Sequence, residues 1–349
     1  MILPQTYGAA LMVLILGMLC LGSWAAMFKS AKLRYELSYL DFVVGAVVFA
    51  GIYGLTFGNL GFDGFSLMDD LTHSGKKEWF YGFLAGLIFN FGNMLLMAST
   101  SISGLSVAFP IAFSIAAILS TVVQMIGGPA GNTTLNISGC LLMLLAVVFG
   151  AIAFNIVVVL RHEAKAKTGK VKSTRRPTAA KPVVLAVVAG LLLGSYLPLI
   201  DRATEADIGM GPFSMTLMFC FGMILSTMVL SIFFINLPVE GEPAELSGYL
   251  NVTVGTHFRA FLSGGLWCTG MLGIVVALSG ADLLKGTPVI TDLLKTGPPV
   301  LAAIWGYFAF KEFRDGDFRA KSLALLMLIL FAAGLVMFAL APLHTPTPT

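Results

Sequence analysis

Residues 22–32 read GSWAAMFKSAK, and residues 194–204 read GSYLPLIDRAT. Each stretch opens on glycine, serine and an aromatic ring and, after six intervening residues, reaches an alanine. They lie 172 positions apart in a chain of 349, each late in a hydrophobic run. A motif repeated at half the chain length points to a duplicated unit, and internal repeats decide an architecture before any local reading does. Further matches follow: Gly86, Gly92, Ser101 and Pro110 recur as Gly264, Gly270, Ser279 and Pro288, all at an offset of 178. The drift from 172 to 178 is loop length.

The runs that carry these matches are long and apolar. The chain is 57% hydrophobic and 11% charged, with a mean hydropathy of +0.91, against about 25% charged in a soluble domain. Ten runs approach the ~20 residues needed to cross a hydrocarbon core: 7–28, 38–58, 79–99, 103–126, 135–160, 183–201, 212–237, 257–279, 287–310 and 321–342. The expected fold is an all-α polytopic membrane protein. The first run has no basic region before it and no small-residue cleavage pattern after it, so it reads as a retained helix. Cys20, Cys140, Cys220 and Cys268 all fall inside apolar runs and read as buried free thiols.

Five runs per half is an odd number, so a second copy following the first enters the membrane from the other side. The expectation is two inverted five-helix repeats, with a substrate site near the midplane between them. Charge sets the orientation. Sixteen of the 21 Lys and Arg residues fall in the loops after odd-numbered runs or, as Arg259 and Lys321 do, in the first three residues of the run that follows, and four fall in the other loops. Since Lys and Arg favour the cytoplasmic side, both termini are predicted outside. The expected organisation is a first repeat over 1–160, a basic cytoplasmic linker over 161–181, a second repeat over 182–342 and a short tail over 343–349. The linker reads as a solvated topogenic segment ahead of a nucleic-acid or lipid patch.

Three stretches, "GSWAAMFKSAKLRYELSYLDFVVG", "IFNFGNMLLMASTSISGLSVAFPIAFSIA" and "GPPVLAAIWGYFAFKEF", carry a family likeness. The chain resembles the drug/metabolite transporter superfamily, and within it the branch of glucose/ribose porters, rhamnose symporters and ureide permeases. That resemblance implies ten helices and a secondary transporter of small polar metabolites, often coupled to protons, with its third and eighth helices lining the cavity. The central linker holds no GxxxxGK[ST], so nothing in it supports ATP binding.

In the paired motifs, Ser23 and Ser195 offer hydroxyls, and Trp24 and Tyr196 offer rings on which a sugar face or planar ureide stacks. Helix packing through small residues, with Gly190 and Gly194 forming GxxxG, is the competing reading. Pro198 frees the Gly194 carbonyl in the sixth run. The third run places Asn90 and Asn93 on one face, and the eighth carries Trp267 and Thr269 at the corresponding level. Interhelical hydrogen bonding and solute contact both fit them, and the resemblance favours contact for Asn93 and Trp267.

Asp-Leu-Leu-Lys occurs at 282–285 and again at 292–295. The first copy reads as a solvated pair. A central charge costs roughly 2.5–3.5 kcal/mol on insertion scales, so Asp292 and Lys295 are expected to pair at i,i+3 or face water. Pro298 and Pro299 follow and should break the ninth run beside them. An outer-end ion pair and a coupling or gating role both stand, and the family carries neutral polar residues at this place. Lys29, Lys311 and Glu312 fall at inner helix ends, where anchoring and loop salt bridges are expected.

The expected function is secondary active transport of a small neutral polar metabolite, a sugar or a ureide- or nucleobase-like solute. An exporter of the same superfamily is the alternative. An intramembrane enzyme would need an HExxH, a GxSxG or two intramembrane aspartates, none of which is present, and a channel would want symmetric pore rings. No metal and no cofactor beyond a coupling proton is expected. The expected partners are the solute and the bilayer, with no nucleic acid; a monomer suffices and a homodimer stays open.

Overall fold

The computed structural model describes residues 1–127, 131–167, 179–205, 209–239 and 241–344. In chain order the helices are α1 (Tyr7–Ser30), α2 (Tyr35–Leu55), α3 (Leu67–His73), α4 (Lys76–Ser103), α5 (Leu105–Gly127), α6 (Thr133–Lys167), α7 (Ala180–Ser195), α8 (Leu197–Thr204), α9 (Pro212–Asn236), α10 (Leu246–Leu250), α11 (Val254–Ser279), α12 (Ala281–Leu284), α13 (Pro288–Thr296), α14 (Pro298–Ile304) and α15 (Phe318–Leu340). A wider turn, Trp305–Ala309, prolongs α14. No strand occurs among the described residues. Nine helical spans among them are long and apolar enough to cross a membrane: α1, α2, α4, α5, α6, α7 with α8, α9, α11 and α15 with its last turn.

The ninth expected run is not one helix. It divides into α13 and α14 at Gly297, because Pro298 lacks the N–H that would continue the ladder and a proline restricts the residue before it. Pro198 acts alike in the sixth run. The helix stops at Ser195, and Pro198 lies in the first turn of α8, where Leu199 and Ile200 donate to the Tyr196 carbonyl at 3.1 and 3.3 Å. The basic linker begins later than expected, because α6 continues through Arg161 to Lys167. Arg161 anchors that extension, its Nε 3.0 Å from Asp315 Oδ2 and an Nη donating to the Glu312 carbonyl at 2.9 Å. Residues 168–178 of the linker and 345–349 of the tail lie outside the described residues.

The chain folds into two compact units, each drawn from both halves of the sequence. The first comprises Met1–Met94 and Ser195–Pro298, and the second comprises Leu95–Gly194 and the chain from Pro299 onward. In the first unit α2 lies between α9 and α11, and α11 packs in turn on α1. Four Phe-x-x-Gly steps set this packing: Phe42–Gly45 on α2, Phe83–Gly86 on α4, Phe219–Gly222 on α9 and Phe261–Gly264 on α11. A methyl group on Gly45 would overlap the Phe261 carbonyl oxygen, and one on Gly264 would overlap that of Phe42. The same reciprocal contact joins α4 to α9, with Gly86 against the Phe219 carbonyl and Gly222 against that of Phe83. Glycine is what allows two helix backbones to approach this closely. At the start of α9, buried Asp70 from α3 accepts from the Gly211 N–H at 2.8 Å and from the Ser214 hydroxyl.

In the second unit α6 packs against α15 and α5. Gly190 and Gly194 of α7 lie against Ala112 and Ala116 of α5, so the GxxxG step is used for packing. The turn between α4 and α5 is the single residue Gly104 at φ +90°, a conformation only glycine adopts without strain. Glu312 has a capping role. Its carboxylate caps α5, accepting from the Leu105 and Ser106 N–H groups at 2.8 Å each and from the Ser106 hydroxyl, where the helix dipole favours negative charge.

Candidate functional site

Aromatic rings fill the middle of the first unit in an unbroken chain. Trp24 of α1 meets Phe42 of α2 at 4.9 Å between ring centres, and Phe42 meets Trp267 of α11 at 6.2 Å. Trp267 lies 5.0 Å from Phe89 of α4 and 5.8 Å from Phe219 of α9. Tyr196, at the break between α7 and α8, closes the series at 5.2 Å from Phe89 and 5.8 Å from Phe219. These spacings are those of favourable aromatic pairs. Trp24 and Trp267 are buried, at 4% and 3% exposure. The rings stand at the glycine crossings for a structural reason: Phe42 and Phe219 are the residues whose carbonyls meet Gly264 and Gly86, so the close approach of the backbones brings their side chains together.

The arrangement repeats itself. Trp24 with Phe42 corresponds to Tyr196 with Phe219 at offsets of 172 and 177, and Phe89 corresponds to Trp267 at 178. The Phe89–Trp267 contact therefore joins equivalent positions of the two sequence halves.

Polar groups flank the rings on two sides. Asn93 Nδ2 donates to the Tyr39 hydroxyl at 2.9 Å, and that hydroxyl donates to Asn90 Oδ1 at 3.0 Å. Asn90 Nδ2 donates to Ser226 Oγ and Thr227 Oγ1, each at 2.9 Å. Both amide hydrogens of Asn90 and its carbonyl are thus engaged across α2, α4 and α9, which is the interhelical use. On the other side Thr269 donates to the Gly265 carbonyl at 2.8 Å, which leaves its oxygen to accept from Tyr53 at 2.8 Å. Ser23 is half-buried and Ser195 is exposed.

The charged candidates lie apart from the rings. The first Asp-Leu-Leu-Lys copy forms the expected exposed pair, Asp282 Oδ1 to Lys285 Nζ at 2.5 Å, and that lysine holds the Asp282 carboxyl below its usual range. The second copy does not pair. Asp292 is half-buried, Lys295 is exposed, and Lys295 acts on Asp201 as well as on Asp292. A lone i,i+3 pair is worth only about 0.2–0.5 kcal/mol, little to hold a lysine that can reach solvent. Pro198 and Pro298 stand at the helix breaks, with Pro299 in the first turn of α14. Among the described residues no three His, Cys, Asp or Glu side chains cluster closely enough to hold a metal ion.

Sequence reasoning passed over Phe42, Phe89 and Phe219, because a phenylalanine in an apolar run carries no contrast. It also passed over Tyr39 and Tyr53, whose hydroxyls within such runs were the available signal. Chemically, the rings offer apolar faces and the amides and hydroxyls offer neutral donors and acceptors. That combination suits an uncharged polar solute.

Over most of its length the chain is similar to known permeases. Ureide permease 1 of Arabidopsis thaliana is 21% identical over 395 residues, covering 95% of this chain and 96% of its own. Ureide permease 2 of the same organism is 21% identical over 408 residues, covering 99% and 100%. Transmembrane protein 144 homolog B of Dictyostelium discoideum is 24% identical over 161 residues, 46% of this chain and 40% of its own. No protein-family profile matches the chain. Together with the nine apolar spans among the described residues, these likenesses support a multi-pass integral membrane protein.

Proposed function

We propose that this chain is a proton-coupled secondary active transporter that moves a neutral sugar or a ureide- or nucleobase-like solute by alternating access. In this reading it belongs to the drug/metabolite transporter superfamily and lies in the inner (plasma) membrane with both termini outside. Ten spanning segments form two inverted five-helix repeats, and one copy of the chain suffices.

The observation that carries the proposal is the contact of Phe89 with Trp267, flanked by the equivalent pairs Trp24–Phe42 and Tyr196–Phe219. Equivalent residues meet one another when a two-fold relation passes between them. With five spans per copy that axis lies in the membrane plane, and transporters of this design bind substrate beside it. Near-full-length similarity to ureide permeases supports the solute class. The proline breaks at Pro198 and Pro298 support movement, since segments joined at a broken helix can tilt separately. Trp24, Tyr196, Trp267 and Asn93 are assigned to the solute, with Ser23, Ser195 and Thr269 beside them and Asn90 holding the helices together.

Purified protein in proteoliposomes tests this. Uptake of a sugar or ureide that rises with an imposed proton gradient is expected. Absence of uptake across a panel of sugars, ureides and nucleosides would refute it, and thermal stabilisation by lipophilic cations alone would favour the exporter.

A further inference from the structure

Asp41, Tyr249 and His257 meet in the first unit. They come from α2, α10 and α11. His257 Nδ1 lies 2.7 Å from Asp41 Oδ2, and its Nε2 lies 3.1 Å from the Tyr249 carbonyl oxygen. The Tyr249 hydroxyl donates to Asp41 Oδ1 at 2.6 Å, and its ring meets the imidazole edge-on at 4.5 Å. The site is half-buried: the Asp41 and His257 side chains are 12% and 27% exposed.

Hydrogen accounting fixes the occupancy. A carbonyl oxygen only accepts, so Nε2 must carry a hydrogen. A carboxylate oxygen likewise only accepts, so the 2.7 Å contact needs a second hydrogen between Nδ1 and Oδ2. The trio thus holds one proton more than a neutral imidazole beside an ionised carboxylate. Removing that proton leaves one ring nitrogen with a lone pair facing an acceptor, Asp41 or the Tyr249 carbonyl according to the tautomer, and the contact there must open. Tyr249 cannot replace the proton. Burial, then the bond to Asp41 and its charge, push the phenol up to about 12, so its hydroxyl stays a donor already committed to Oδ1.

We propose that Asp41, Tyr249 and His257 form a proton-binding site that, when loaded, latches α10 and α11 onto α2, and that it receives the coupling proton. The coupling clause rests on the transport reading above. Imidazole is the side chain whose charge changes between about pH 5 and 8, which suits a site loaded and emptied in each cycle. The other charged groups on and beside these elements are occupied or exposed. Arg34 pairs with Glu36 at 3.2 Å and donates to the Glu242 carbonyl at 2.9 Å, Glu245 accepts from Ser247 at 2.9 Å, and Arg259 is exposed. The device draws on both sequence halves and has no counterpart at the equivalent positions. The positions equivalent to Asp41 and His257, at offsets of 177 and 178, are Met218 and Trp79, neither of which can titrate.

The test has one arm that needs no transport. Thermal unfolding in detergent is followed across about pH 5 to 8. A site whose folded form holds the proton stabilises at low pH and loses that contribution as pH rises, so the wild-type midpoint is expected to fall by about 2–4 °C. His257→Gln and Asp41→Asn should each remove that fall. Tyr249→Phe, which keeps the backbone carbonyl, should weaken it only. A flat wild-type profile, or a fall that survives His257→Gln, overturns the proton site. In proteoliposomes, His257→Gln should lose gradient-driven uptake and retain solute counterflow, and gradient-driven uptake unaffected by it overturns the coupling role. If the wild type carries no solute at all, the transport reading fails while the thermal arm still decides the proton site.

Discussion

Where α2 crosses α11, the glycine of FVVG rests on the phenylalanine carbonyl of FLSG, and the glycine of FLSG rests on that of FVVG. Where α4 crosses α9, FLAG and FCFG make the same exchange. The backbone contact is preserved at both crossings, but the polar groups beside them are not. Asn90 bridges α4 to Ser226 and Thr227 of α9. The α2–α11 side carries the Tyr53–Thr269 bond and the Asp41–His257 pair instead. The two crossings share their sterics and differ in hydrogen bonding, because a backbone approach admits one residue type whereas a neutral polar contact admits several. Chemistry specific to this protein is therefore expected in the differences.

The largest effect tests the equivalence itself. Gly264→Val and Gly222→Val each drive a side chain into a carbonyl oxygen that cannot yield, and each should cost about 3 kcal/mol. Loss of monodisperse protein in detergent would report it, and a crossing that tolerates valine would show that the two are not alike. Next comes the polar divergence. Asn90→Ala leaves the buried Tyr39 hydroxyl without its side-chain acceptor and should cost about 1–3 kcal/mol. Thr269→Val removes one interhelical bond and should cost about 0.6 kcal/mol. Equal falls in unfolding midpoint for the two would remove the asymmetry. Trp267→Leu keeps an apolar filler but removes a ring face, and should weaken solute binding about 2- to 10-fold, from the ~0.5–1.5 kcal/mol of an aromatic contact; unchanged affinity in a binding titration would take Trp267 out of the site. Smallest is Lys285→Ala, which breaks an exposed pair and should leave both stability and uptake as they were.

Parts of the site were legible before the structure. Trp24, Tyr196 and Trp267 stood out because bulky amphipathic rings next to Gly-Ser or Thr are unusual inside apolar runs, and the structure brings all three into one chain of rings. Their partners Phe42, Phe89 and Phe219 did not stand out, since hydrophobicity alone gives phenylalanine no distinction there. Asp41 offered a signal, a carboxylate within an apolar run, but its partner His257 lies 216 positions away, and nothing local predicts that meeting. Asp292 and Lys295 do not form the i,i+3 pair; Lys295 is exposed, the other arrangement their spacing allowed.

The sequence by itself determined the apolar spans, the proline breaks and the recurring Gly-Ser-aromatic pattern, because each is written in residues close together or in one pattern set against another. Tertiary structure alone decided which helices cross, that each compact unit takes its chain from both halves, and that equivalent rings face one another. Insertion of a span is governed by its own hydrophobicity. The choice of a crossing partner is governed by close contact between backbones far apart along the chain, and that contact exists only once the chain has folded.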